Sequence, residues 1–108
     1  MKIERLHGTT KQTAIQKIDQ FLDDLMKRRF EEVEISNPRK EWNGNVMEFS
    51  FHVSKGMKYT NIRGNVTVTE TSVRLEAKMG IIARQFVSED LISKTINEQF
   101  EKLFFLNG

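Results

Sequence analysis

A chain of 108 residues suits one globular domain spanning residues 1–108 and is too short for two. Its 38% hydrophobic and 30% charged residues, with a single proline, exclude the disordered and collagen-like classes, and no apolar run approaches the length of a bilayer span. The absence of cysteine excludes disulfides, thiol catalysis and Cys-ligated metal, while 17 basic against 15 acidic residues leave a net charge of +2, a small excess for a nucleic-acid partner.

Residues 1–7 read as a short edge strand, and their charges Lys2, Glu4 and Arg5 leave no apolar core for a secretory signal, so a cytoplasmic location is expected. Thr9 and Gln12 match a capping box. After it, Ala14, Ile15, Ile18, Phe21, Leu22, Leu25 and Met26 recur at spacings of three and four, which predicts an amphipathic helix ending in Lys27, Arg28 and Arg29, where the helix dipole favours cations. Residues 32–36 alternate through Val33 and Ile35, and Asn37-Pro38 is expected to end that strand as a turn. In the next strand Met47, Phe49, Phe51 and Val53 share one face, with Glu48, Ser50, His52 and Ser54 on the other. Asn43-Gly44 and Lys55-Gly56 suit the tight connections on either side.

Residues 58–69 turn Ile62, Gly64, Val66 and Val68 inward, and Gly64 marks a bulge or a close approach by a helix. Residues 72–79 alternate Val73, Leu75, Ala77 and Met79 against Arg74, Glu76 and Lys78. Ser88 reads as an N-cap followed by Glu89 and Asp90, and Ile92, Ile96, Phe100, Leu103 and Phe104 form the stripe of a last helix. The predicted order is β-α-β-β-β-β-α, an α+β fold in which both helices cover one face of an antiparallel sheet and the other face is polar.

No constellation of catalytic type emerges, so the chain is read as a non-enzyme without metal or cofactor. Glu48, Ser50 and His52 share a strand face, but same-face neighbours stand about 6.5–7 Å apart, whereas a nucleophile and its base need about 3 Å. His7 has no second histidine at metal-ligand spacing, and the six glycines are too scattered for a phosphate-binding loop. Arg63, Arg74 and Lys78 on the polar face, with Arg39 and Lys40, could touch phosphates, but Glu48 and Glu76 dilute them and the aromatic residues belong to the covered face; nucleic acid is disfavoured. The distinctive stretch is residues 79–87, apolar where connections are normally polar. Ile81, Ile82, Arg84 and Phe86 are the candidate contact residues there, against the plainer reading that they close one end of the core.

From Trp42 onward, Trp42-Asn43-Gly44-Asn45, then Met47, Phe49-Ser50-Phe51, Ile62, Gly64, Val66, Val68, Val73, Leu75 and Lys78-Met79-Gly80 resemble the polyhydroxyalkanoic acid system family of small bacterial proteins. The opening strand, His7 and the helix around Ala14 extend the resemblance over nearly the whole chain. It implies a non-enzymatic accessory role in the system that makes and stores polyhydroxyalkanoate granules, while the apolar residues Ile81, Ile82 and Phe86, with Arg84 at their rim, suit a hydrophobic polymer granule, a lipid or a second copy of the chain as partner. It implies no catalytic residues. The alternative is a carrier of a small hydrophobic ligand, with a helix-grip-like cavity lined by Phe100 and Phe104.

Overall fold

A computed structural model describes residues 1–27, 34–79 and 89–106. The elements follow in the order β1 (Lys2–Leu6), α1 (Lys11–Lys27), β2 (Glu34–Asn43), β3 (Val46–Lys55), β4 (Lys58–Val68), β5 (Ser72–Met79) and α2 (Glu89–Glu101), which runs into a wider π turn over Lys102–Leu106. The strands form one antiparallel five-stranded sheet in the order β1-β5-β4-β3-β2, so the first strand lies beside the last. The α+β fold and its element order are as the periodicity predicts.

Two glycines set the registers of the hairpins. Gly44 and Gly56 have φ of +64° and +60°, and the residue after each does not share that sign, the arrangement of type II′ turns. These turns lock Asn43 opposite Val46 and Lys55 opposite Lys58, and the pleat then assigns every later side chain to a face. Gly64 serves a different purpose. A Cβ there would stand 2.2 Å from the Glu76 carbonyl oxygen and 2.9 Å from Phe49 Cζ, so the position admits the Phe49 ring from the neighbouring strand; neither a bulge nor a helix requires it.

Two local expectations are corrected. Thr10, not Thr9, caps α1: its hydroxyl accepts from the Thr13 amide at 3.1 Å, and its carbonyl from the Ala14 amide at 2.9 Å. Asn37-Pro38 does not end a strand, because β2 continues through it to Asn43 with the register shifting between Ser36 and Arg39. Asn37 takes a φ of +51°, and an edge strand tolerates the proline's missing donor at such a bulge.

Both helices lie on the same side of the sheet. Ala14, Ile18 and Leu22 of α1 and Phe100 of α2 join Met47, Phe49, Val66, Val68, Val73 and Ala77 in one core. Polar ties run from that sheet face to each helix: Lys40 and Trp42 of β2 reach Asp19 of α1, and Arg5 of β1 reaches Asn97 and Glu101 of α2. Lys17 of α1 donates to the Leu103 carbonyl at 3.2 Å and stands over the Phe104 ring, joining the two helices to each other. The side chains of Leu25, Met26, Leu91 and Ile92, together with Arg28, Arg29 and Ser88, lie outside the described residues.

Candidate functional site

The two histidines occupy contrasting sites. His7 is 1% exposed at the junction of β1 and α1. Its Nε2 donates to the Thr69 carbonyl at 2.9 Å and its Nδ1 accepts from the Thr9 amide at 3.1 Å, which specifies a neutral ring in one tautomer. With both nitrogens engaged by backbone and the Phe104 ring 6.3 Å away, His7 is built into the structure. His52 lies on the sheet face that the described helices leave uncovered, opposite Ser36 and Asn61, and among the described residues its Nδ1 meets Asn37 Nδ2 at 3.5 Å. Glu48, Ser50 and His52 share the face as the alternation predicts, with no hydrogen bond linking them among the described residues. No group of three metal-ligating side chains occurs among the described residues either.

Phe100 is buried and its ring centroid lies 4.4 Å from that of Phe104. Arg5 lies over the Phe100 ring itself, 5.1 Å from its centroid, while Phe105 at the same end is 49% exposed. These rings pack on one another and on the cations around them. Ile81, Ile82, Arg84 and Phe86, the contact residues expected from sequence, lie outside the described residues.

A concave feature lies on the sheet face away from the described helices, where an open trough of about 1100 Å³ crosses the strands. Its walls are two neighbouring rows of side chains defined by the strand registers. One row reads Lys2, Glu76, Asn65, Glu48, Glu41 from β1 to β2; the next reads Lys78, Arg63, Ser50, Arg39 from β5 to β2. One wall is thus mainly acidic and the other basic. None of these nine side chains forms an ion pair or a side-chain hydrogen bond with a described residue.

The sequence reading placed Arg63, Arg74 and Lys78 on this face correctly and Lys40 incorrectly. Lys40 is opposite Phe49 and points to the helices, where its ammonium meets Asp19 at 2.6 Å and Asp23 at 2.7 Å. Burial opposes its charge, but the bonds to Asp19 and Asp23 outweigh it and hold the ammonium above its usual range. Arg74 is paired with Glu4 at 2.8 Å, a contact that raises its guanidinium further, so it is not a free cation of the trough. The parts that sequence reasoning missed are Lys2 and Glu41 as wall residues. The two-residue turn at Gly44 carried that signal for β2: it places Glu41 beside Glu48 and Arg39 beside Ser50.

Compared with known proteins, residues 1–104 match the model of a family described as putative polyhydroxyalkanoic acid system protein. No curated protein and no solved structure shows a significant match.

Proposed function

The chain belongs to the polyhydroxyalkanoic acid system protein family, and from that premise we propose that it is a non-catalytic accessory protein that contacts storage granules through the apolar stretch bearing Ile81, Ile82, Arg84 and Phe86. The family match over residues 1–104 carries the reading, and the chemistry of the chain supports it. His7 is spent on backbone hydrogen bonds, and the ionisable groups of the trough are spread along rows. Catalysis instead needs groups converging on a reacting atom. A granule surface, by contrast, rewards a run of apolar side chains with a cation at its rim, which is the composition of residues 79–87.

The test is co-sedimentation of purified protein with polyhydroxyalkanoate granules. Wild-type protein should sediment with the granules, and the double substitution Ile82→Ser and Phe86→Ser should abolish this while leaving the circular dichroism spectrum unchanged. Wild-type protein that stays in the supernatant at low and at moderate salt would reject granule contact. Loss of the folded spectrum in the double variant would move these residues to the core.

A further inference from the structure

We propose that the uncovered sheet face binds a second copy of this chain, the two sheets stacking face to face about a twofold axis that runs across the strands along the trough. The argument lies in how charge is ordered along each strand. Neighbours two apart on one face are Glu76 and Lys78 in β5, Asn65 and Arg63 in β4, Glu48 and Ser50 in β3, and Glu41 and Arg39 in β2. In every one of these strands an acidic or amide side chain stands on one wall and a basic or hydroxyl side chain on the other.

A half-turn about an axis between the walls lays each strand over its own counterpart and exchanges the two rows. Glu76 then faces Lys78 of the second copy, Asn65 faces Arg63, Glu48 faces Ser50 and Glu41 faces Arg39. Each copy offers both halves of every pair, which is the self-complementarity an isologous interface needs. Parallel offset or rotation within the plane would instead set like rows against each other.

Two further observations favour this occupant. Arg63 is directly opposite Lys78, and Glu41 directly opposite Glu48, so each copy alone carries like charges as cross-strand neighbours. Such neighbours repel. Stacking brings the contrary or neutral partner row over both. The trough also leaves room for long side chains from two copies to meet between sheets spaced about 10 Å apart. Five strands at about 4.8 Å and four rows at about 6.8 Å give a face of roughly 650 Å² per copy, at the small end of specific interfaces. A charged face of that size makes a modest, salt-sensitive dimer.

Sheet twist disturbs the match least near the middle of the sheet, and Glu76 and Lys78 on β5, beside the central strand β4, form the pair with full opposite charges nearest to it, so they carry the test. Sedimentation velocity at low salt should show wild-type protein dimerising with rising concentration and dissociating as salt is added. Glu76→Lys and Lys78→Glu should each be monomeric with unchanged circular dichroism. An equimolar mixture of the two should dimerise again, and so should the double variant. Arg39→Glu with Glu41→Arg on β2 gives a second, independent set should a β5 variant fail to fold. Wild-type protein that remains monomeric, single variants that still dimerise, or a mixture that does not recover would each overturn the proposal. So would loss of the dimer in the Ile82→Ser, Phe86→Ser protein, which would assign self-association to the apolar stretch; granule binding is read separately, so the two proposals fail independently.

Discussion

Trp42 Nε1 donates to Asp19 Oδ1 at 2.7 Å, tying the chain's single tryptophan on β2 to the middle of α1. The same carboxylate receives the Lys40 ammonium, so one side chain of the helix holds two side chains of the edge strand.

That arrangement fixes a pH dependence. The Lys40 ammonium, then the Trp42 indole N–H, hold the Asp19 carboxyl below its usual value against a smaller opposing effect of burial. A carboxyl depressed in the folded state contributes its full stability above the unfolded value, near pH 4, and loses it as pH falls through the lower folded value. Asp19→Asn should cost about 1 kcal/mol at neutral pH, since the pair is partly solvated, and should flatten the loss of stability in that acidic window. Urea melts followed by tryptophan fluorescence at pH 7 and below pH 4 measure both effects; an unchanged acid profile in the variant would show that other carboxyls dominate.

His7→Ala should destabilise by about 3 kcal/mol. It empties a site that is 1% exposed and strands the Thr69 carbonyl and the Thr9 amide without partners. His7→Phe fills the volume but satisfies neither group, so it should recover only part of the loss. Chemical denaturation separates the two contributions.

Two glycine substitutions should differ for different physical reasons. Gly44→Ala meets nothing within 4 Å, and its cost of about 1 kcal/mol arises from forcing a side chain into a φ of +64°. Gly64→Ala collides with the backbone of β5 and with Phe49, and should cost more than about 2 kcal/mol. Equal thermal shifts for the two would contradict the packing described around Phe49.

Arg5→Met should loosen α2 more than a surface substitution would. Arg5 donates to Asn97 Oδ1 at 3.1 Å, pairs with Glu101 and covers the Phe100 ring. Removing a charge that makes all three contacts is expected to cost about 1–2 kcal/mol and to speed amide exchange along residues 96–101 relative to β3 and β4. Uniform exchange along the chain would count against a local role.

Much of the architecture was legible because periodicity is the dominant signal in this chain. The alternation of Met47, Phe49 and Val53 against Glu48 and Ser50 gives β3 its two faces, and the stripe Ala14, Ile18, Leu22 gives α1 its buried side. The misreading at Asn37-Pro38 has a tertiary cause: proline breaks strands on average, but here it falls on an edge where no donor is needed. Lys40 was misassigned because β2 runs on past Asn37-Pro38, and the turn at Gly44 sets Lys40 opposite Phe49 and so toward the helices; the bulge before it only breaks the alternation begun at Ile35. Trough pairing was hidden for a related reason. The charges of β2, β3, β4 and β5 become neighbours only through three hairpin registers, and no single segment displays the two opposed rows.

The adjacency of β1 and β5 has a kinetic side. The meander from β2 to β5 assembles from contacts local in sequence, whereas Lys2 must find Glu76 across more than seventy residues. Closing a loop of that length costs about 4 kcal/mol in chain entropy before any contact repays it. Refolding should therefore zip the hairpins first and dock the opening strand late, and that same strand should be the earliest to peel away when the protein is pulled or heated.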